Sequence, residues 1–175
     1  PVRMEKVYKM VEKNLGINKE QWDLYRDNMA SIESRGAGDY LAVGGKNKHY
    51  DGRYQLGNLA KADAADFLYG ENKRLKHGNE NSQERIEFRN NPTLQEEMFA
   101  AYTIKNHTYM LNPSDSKKIA YNSKRRYIDA PVFQKLQYLS YAHNQGHMAA
   151  KNYMDTGVVT RDAFGTKGTK YMMGL

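Results

Sequence analysis

The chain has 175 residues, of which 39% are hydrophobic and 27% are charged, and its formal net charge is +7 at pH 7. This composition is typical of a folded globular protein and excludes a chain that is disordered throughout. Because there is no cysteine, disulfide bonds, thiolate metal sites and a cysteine nucleophile are excluded as well.

The positive charge predicts attraction to a polyanion, such as a nucleic acid, a membrane surface or an anionic cell-wall polymer. No run of about 20 apolar residues predicts a membrane span. The length suits one domain over residues 1–175. Because the chain begins at Pro1, without an initiator methionine or a secretory signal, the hypothesis is a domain excised or processed from a larger protein.

Two helices are predicted at the start of the chain. The first ends at Gly16, a residue suited to a left-handed helix cap. Asn18 and Gln21 form a plausible capping pair for the second helix. The apolar face of that helix consists of Trp22, Tyr25, Met29 and Ile32. Glu33 follows this face directly, which places an acid at the end of an apolar helix stripe.

The segment that follows is rich in glycine. Residues 36–52 lack sustained periodicity, and their five glycines predict a loop or a short β-hairpin around Gly44 and Gly45. A third helix is expected over residues 56–68. The polar segment 70–91 is expected to be a surface loop with one helical turn.

Helices also account for the rest of the chain. Thr93 and Glu96 predict a capping box at the head of a long helix. Further helices are predicted over residues 115–127, from Pro131 onwards, and over residues 147–154 up to Gly157. The predicted fold is therefore mainly α, with a small β-hairpin or loop inserted after the second helix.

Glu33 is the candidate acid of this chain. Breaking a glycosidic bond requires a proton donor for the leaving oxygen. A carboxyl group at the carboxyl end of a helix is repelled by the helix dipole, and partial burial beside tyrosine and methionine side chains adds to this effect. Both effects favour the protonated form that a general acid needs. The alternative for Glu33 is an ordinary solvated helix terminus.

Three short segments give Glu33 a context. They are Glu33-Ser34, Gly52-Arg53-Tyr54-Gln55-Leu56-Gly57 and Ala142-His143-Asn144-Gln145-Gly146. This ordered set resembles the three motifs of soluble lytic transglycosylases and the related goose-type lysozymes. The glycine-rich and aromatic-rich loop between the first two resembles virion-associated phage members of that group. The resemblance implies a lysozyme-like fold with the inserted hairpin beside an active-site cleft.

The match is partial. The second motif agrees only at Gly52 and Gln55, since Arg53 and Tyr54 replace an apolar pair that is usual in the family. We expect these two larger side chains to contact saccharide or peptide. In the third motif His143 replaces the usual tyrosine beside Asn144. Aromatic faces pack on sugar C–H surfaces, and the tyrosines that are candidates to line a saccharide cleft are Tyr40, Tyr50, Tyr54, Tyr102, Tyr138 and Tyr141.

The resemblance implies cleavage of the MurNAc–GlcNAc bond of peptidoglycan with no cofactor. Glu33 would act first as general acid and then as general base, so that the muramyl 6-hydroxyl attacks the anomeric carbon and gives a 1,6-anhydro product. Gln55 and Asn144 would bind the sugar by hydrogen bonds, and Ser34 would orient the Glu33 carboxyl group. The implied partners are glycan strands and, for a virion-associated enzyme, other virion proteins. The implied location is the virion or the bacterial periplasm and cell wall.

Hydrolysis with inversion is the alternative activity. It requires a second carboxylate roughly 6.5–9.5 Å from the first, with a water between them. Asp39 and Asp51 are the candidates for this second acid, and ordinary turn residues are the alternative for both.

Two other kinds of function are weaker candidates. A basic helical module that binds nucleic acid would explain the charge but gives Glu33 no role, since an acid repels phosphate. A helical scaffold protein of a particle would likewise not explain why the three motifs occur in this order. A metal site is not expected, because His143 and His147 are separated by the helix-breaking Gly146.

Overall fold

The computed structural model of the chain describes residues 1–70, 77–112 and 117–175. These residues form eight α-helices and one two-stranded sheet, which confirms the mainly α class. The helices are α1 (Glu5–Leu15), α2 (Lys19–Glu33), α3 (Asn58–Tyr69), α4 (Gln83–Arg89), α5 (Pro92–Leu111), α6 (Lys117–Asp129), α7 (Val132–Gln145) and α8 (His147–Thr156). The antiparallel strands are β1 (Val43–Gly44) and β2 (Tyr50–Asp51).

The chain divides into two compact units, residues 1–105 and residues 106–175. The first contains α1 to α4, both strands and most of α5. The second contains the end of α5 and α6 to α8, followed by a short 3₁₀ helix, Gly168–Met172. A single catalytic domain over residues 1–175 stays a prediction.

The predicted end of α1 and the predicted start of α2 are confirmed. Gly16 caps α1 with a left-handed φ of 66°, and its N–H donates to the carbonyl of Glu12. At the start of α2 the Asn18 side chain accepts from the Gln21 N–H, while the Gln21 side chain accepts from the Asn18 N–H. Two donors that a helix start leaves unpaired are thereby satisfied, so the sequence fixes where α2 begins.

Aromatic side chains form the centre of the first unit. The Phe99 ring of α5 lies parallel to the Tyr54 ring, with 3.8 Å between ring centroids. The Trp22 and Tyr25 rings of α2 lie 5.3 and 5.8 Å from Phe99. All four side chains are at most 1% exposed. The helix that ends in Glu33 is therefore fixed against α5 by a large buried apolar surface.

The predicted hairpin insertion is confirmed. Val43 pairs with Asp51 and Gly44 with Tyr50. The second strand leads into a tight turn, in which Gly52 has a φ of 82°. The buried Gln95 of α5 supports this turn, because its Oε1 accepts from the Arg53 N–H at 3.0 Å. A Cβ on Gly52 would overlap this Oε1.

Gly52→Ala should therefore lower the free energy of unfolding by about 3 kcal/mol, through an unfavourable φ together with the clash. Gly36→Ala is the matched control. Gly36 has a φ of 77°, but no atom lies within 4 Å of the position that a Cβ would take. Its loss should be about 1 kcal/mol. Equal losses in denaturant unfolding would show that the Gln95 contact is unimportant.

The start of α5 differs from the prediction. The side chain of Asn91, rather than Thr93, caps the helix by accepting from the Leu94 N–H at 3.1 Å. Pro92 is then the first helical residue, a position that requires no N–H donor. Thr93 instead accepts from the Arg3 N–H, and Glu96 is fully buried among side chains from distant parts of the chain.

Other boundaries moved by smaller amounts. The third helix begins at Asn58, and the polar segment expected to hold one helical turn contains the seven-residue α4. Residues 71–76 of that segment lie outside the described residues, as does the predicted start of α6 at residue 115.

In the second unit, α7 and α8 follow the prediction. Pro131 immediately precedes α7, and Gly157 ends α8 with a φ of 73°. The buried side chains of this unit include Leu136, Leu139, Tyr141, Ala150 and Met154. The Tyr141 and Tyr153 rings are stacked at 4.7 Å, which joins α7 to α8.

Candidate active site

Glu33 is the last residue of α2, and its side chain is partly buried. Met29 and Ala30, one turn earlier on the same face, are buried in the core. Ser34 follows as a buried helix cap, and both its N–H and its hydroxyl donate to the Ala30 carbonyl, at 3.0 and 3.2 Å. The predicted location of Glu33 at the end of a buried helix stripe is confirmed. The proton of the Ser34 hydroxyl is therefore directed to the backbone of α2.

The Gly52–Gln55 segment lies between two reciprocal backbone hydrogen bonds that join Asp51 to Leu56. Gln55 adopts a left-handed φ of 50°, and its Nε2 donates to the Gly52 carbonyl at 2.9 Å. A Cβ on Gly44 of β1 would overlap the Gln55 Oε1. The Gln55 amide therefore lies between the turn and the hairpin, and α3 begins three residues later rather than at this segment.

A buried carboxylate that the sequence analysis missed lies beneath this turn. Glu96 is 0% exposed and accepts hydrogen bonds from the hydroxyls of Tyr40, at 2.7 Å, and Tyr54, at 2.7 and 2.8 Å. Two guanidinium groups add ion pairs: Arg26 Nη1 at 3.6 Å and Arg53 Nε at 3.9 Å. Glu96 thereby joins α5 to α2, to the loop after Glu33 and to the Gly52–Gln55 turn.

Tyr54 is a core residue in this structure, with 1% of its surface exposed. Burial, and next the Glu96 carboxylate, raise the pKa of Tyr54 well above its ordinary value, so that it remains a hydrogen-bond donor. The expectation that Tyr54 contacts saccharide is corrected accordingly, because its ring packs on Phe99 and its hydroxyl on Glu96. Tyr54 therefore stabilises the Gly52–Gln55 turn from the core of the first unit.

Tyr54→Phe keeps the ring and removes the hydrogen bonds to a buried charge. We expect it to lower the free energy of unfolding by about 1.5–3 kcal/mol. Tyr8→Phe is the control, since the Tyr8 hydroxyl also donates to a carboxylate, Asp23 at 2.7 Å, in a part-buried setting. Its loss should be below about 1 kcal/mol. Equal losses in urea unfolding would contradict a special role for the Glu96 cluster.

Arg53 is 20% exposed and lies at the edge of this cluster. Its Nη1 donates to both oxygens of Asp39 at 3.1 Å, and its Nη2 to Asp27 at 3.3 Å. Asp39 is 51% exposed and has a left-handed φ of 56°. The guanidinium group is thus neutralised by acids from α2 and from the loop after Glu33, and it holds the two segments together.

Asp51 lies in a different setting from Asp39. Its carboxylate is 0% exposed and accepts from Lys61 at 2.7 Å, from Arg85 at 2.7 and 3.0 Å and from Arg89 at 2.7 Å. Burial alone would raise the pKa of Asp51, but the hydrogen bonds from Arg85, Lys61 and Arg89 outweigh it and hold the pKa below its ordinary value. This acid is therefore ionised, enclosed and separated from solvent, which fits a structural role.

In the second unit the third motif lies at the end of α7. Asn144 donates to Asp162 at 3.3 Å and to the Tyr171 hydroxyl at 3.2 Å, and it accepts from Gln145. His143 and Tyr138 are partly buried. Tyr141 is 0% exposed, and its hydroxyl forms a hydrogen bond with Thr160. Tyr141 is therefore also a core residue, and its ring has no exposed face on which a sugar could pack.

Asp162 is a further residue that sequence reasoning missed. One carboxylate oxygen accepts from the N–H groups of Phe164 and Thr166, and the other accepts from Asn144. These hydrogen bonds order the backbone of residues 162–166. The spacing of an Asp two residues before an exposed turn residue is the signal that could have identified it.

The described residues hold no group of three or more histidine, cysteine, aspartate or glutamate side chains suited to a metal ion. The His147 ring stacks on Tyr109 at 4.4 Å. None of the helices in the described ranges is long and apolar enough to cross a membrane.

No protein-family model, curated protein or solved structure matches the chain significantly. The resemblance to soluble lytic transglycosylases therefore stays a prediction. The assignment of a function rests on the residues of the candidate site.

Proposed function

We propose that the chain is a peptidoglycan lytic transglycosylase that cleaves the MurNAc–GlcNAc β-1,4 bond, with Glu33 as general acid and then general base. The observation that carries the proposal is the position of Glu33. It is a partly buried acid at the carboxyl end of a helix whose inner face is core, followed by a braced hairpin and turn.

The chemistry requires one carboxyl group. The Glu33 carboxyl group gives its proton to the leaving glycosidic oxygen as the bond to the anomeric carbon breaks. The resulting carboxylate then takes the proton of the muramyl 6-hydroxyl, whose oxygen bonds to the same carbon. The product is a 1,6-anhydro sugar, Glu33 is protonated again and no water is consumed.

The environments of the two other candidate acids favour this scheme over inverting hydrolysis. An inverting base must hold a water molecule beside the sugar. Asp51 has no exposed surface and is bound by three cationic side chains. Asp39 is exposed, but both its oxygens face Arg53. A mechanism that needs neither acid is the simpler one for this arrangement.

The nucleic-acid-binding alternative has less support. Arg85 and Arg89 are directed at Asp51, and Arg26 and Arg53 at Glu96 and neighbouring acids. These four guanidinium groups are therefore not available as a phosphate-binding surface. In our proposal the net charge of +7 instead promotes adhesion to anionic cell-wall polymers, at the wall or on a virion.

The proposal is tested by incubating the protein with purified peptidoglycan and following the release of soluble muropeptides. We expect release by the unmodified chain. Binding to the sacculus without release, over a range of pH values, would contradict the enzymatic function.

A further inference from the structure

The first unit contains a cavity of about 340 Å³ beside the Asp51 cluster. The buried part of its polar wall is formed by Lys61, His77 and Arg85, which are 5%, 8% (side chain) and 2% exposed. Glu84, Glu87 and Asn91 also line it. The remaining wall is mainly apolar and includes Phe88, Leu94 and Met98. Neither Glu33 nor the Gly52–Gln55 turn is among its lining residues.

The hydrogen bonds of the buried polar wall leave one ring donor, on His77, without a partner among the described residues. The Lys61 ammonium has three N–H groups. It donates to Asp51 at 2.7 Å and to His77 Nε2 at 3.0 Å, and it also lies 4.4 Å from the centre of the Phe88 ring. Because an ammonium group can only donate, Nε2 of His77 accepts and the ring proton lies on Nδ1. This buried Nδ1 has no hydrogen-bond partner among the described residues.

The buried charges beside the cavity are also unbalanced. Lys61, Arg85 and Arg89 surround the single carboxylate of Asp51. Burial, followed by the charges of Lys61 and Arg85, lowers the pKa of His77 to about 4, as expected for a ring in a positive potential. The acids that line the cavity are Glu84 and Glu87, and both are exposed.

We propose that this cavity binds a small aliphatic carboxylate, whose oxygens accept from Lys61 Nζ and His77 Nδ1 while its hydrocarbon part packs on Phe88, Leu94 and Met98. An anion accepts from the unpartnered His77 Nδ1–H and is attracted by the charge of the Lys61 ammonium. The apolar wall adds affinity in proportion to the hydrocarbon that it covers. This site is independent of the proposed glycan-cleaving function.

The acidic lining residues disfavour ligands with more than one negative charge. The exposed Glu84 and Glu87 of the lining repel a dianion or a polyanion, whereas a monoanion meets less repulsion. A phosphate dianion should therefore bind more weakly than a carboxylate, although both are oxyanions.

The test is an NMR titration of the His77 Cε1–H resonance, assigned with His77→Gln, against acetate, butyrate and inorganic phosphate at constant ionic strength. We expect saturable shifts with both carboxylates and about fifteenfold tighter binding of butyrate, since it has two more CH₂ groups than acetate and each buried CH₂ adds about fourfold. Phosphate should bind more weakly than butyrate. The proposal would be overturned if neither carboxylate gave a saturable shift, or if phosphate bound more tightly than butyrate.

Lys61→Met supplies the second arm, with Lys105→Met as its control because Lys105 pairs with Asp66 at 2.7 Å away from the cavity. We expect Lys61→Met to weaken butyrate binding at least tenfold and Lys105→Met to leave it unchanged. Equal affinity in both variants would contradict the assignment of Lys61. Circular dichroism checks their folding, and the ligand series with the unmodified chain decides the question if Lys61→Met does not fold.

Discussion

Glu33→Gln should abolish the release of muropeptides from peptidoglycan, lowering the rate by at least about 10²-fold and up to about 10⁴-fold, the range typical of a general acid–base residue. The amide keeps the size of the side chain but can neither donate the proton nor take one back. Because Glu33 is partly exposed at a helix end that disfavours negative charge, the free energy of unfolding should be unchanged or slightly higher. Rates of release and urea unfolding measure the two effects.

Glu20→Gln is the matched control, since Glu20 is exposed in the first turn of the same helix. It should retain full activity. A Glu33→Gln protein that keeps normal activity would remove Glu33 from the mechanism. A loss of several kcal/mol in its stability would identify Glu33 as a structural group instead.

Asp51→Asn should be the most destabilising of these substitutions, with a loss of about 3–5 kcal/mol at pH 7. It leaves Lys61, Arg85 and Arg89 buried around a neutral amide. The pH dependence follows from the lowered pKa of Asp51. The stabilisation is fully present above the unfolded value of 3.8 and is lost as the pH falls from there through the folded value. Asp51→Asn should therefore flatten this acid limb of the stability profile.

Asp39→Asn is the comparison, since Asp39 is exposed and its pair with Arg53 lies at the surface. We expect a stability loss of at most about 1 kcal/mol and little change in muropeptide release. Loss of activity in a stably folded Asp39→Asn protein would instead favour the inverting mechanism, with Asp39 holding the water.

Local signals predicted the helices well. Gly16, Gly157 and the Asn18–Gln21 pair each act within one turn of the chain, so their effect is visible in the sequence and is confirmed. The same local information placed Glu33 at the end of α2. The predicted Thr93–Glu96 capping box is wrong, because Glu96 accepts from the hydroxyls of Tyr40 and Tyr54 instead and Asn91 caps the helix.

The sequence did not predict which charged side chains are buried or which partners they meet. Glu96 meets Tyr40 and Tyr54 across 56 and 42 residues, and Asp51 meets Arg85 across 34. Nothing in the loop distinguishes Asp51 from Asp39, since both are turn acids beside glycine or tyrosine. Their burial is a property of tertiary packing, as is the change of Tyr54 and Tyr141 from candidate sugar platforms to core residues.

The most direct test of the central claim is the mass of the products released from purified peptidoglycan by the unmodified chain and by Glu33→Gln. Transglycosylation predicts disaccharide peptides lighter than hydrolysis products by the mass of one water molecule, absent with the variant. Products of full hydrolytic mass would contradict the transglycosylase assignment and indicate that a second group activates water. Anhydro products in equal yield from both proteins would contradict the role of Glu33.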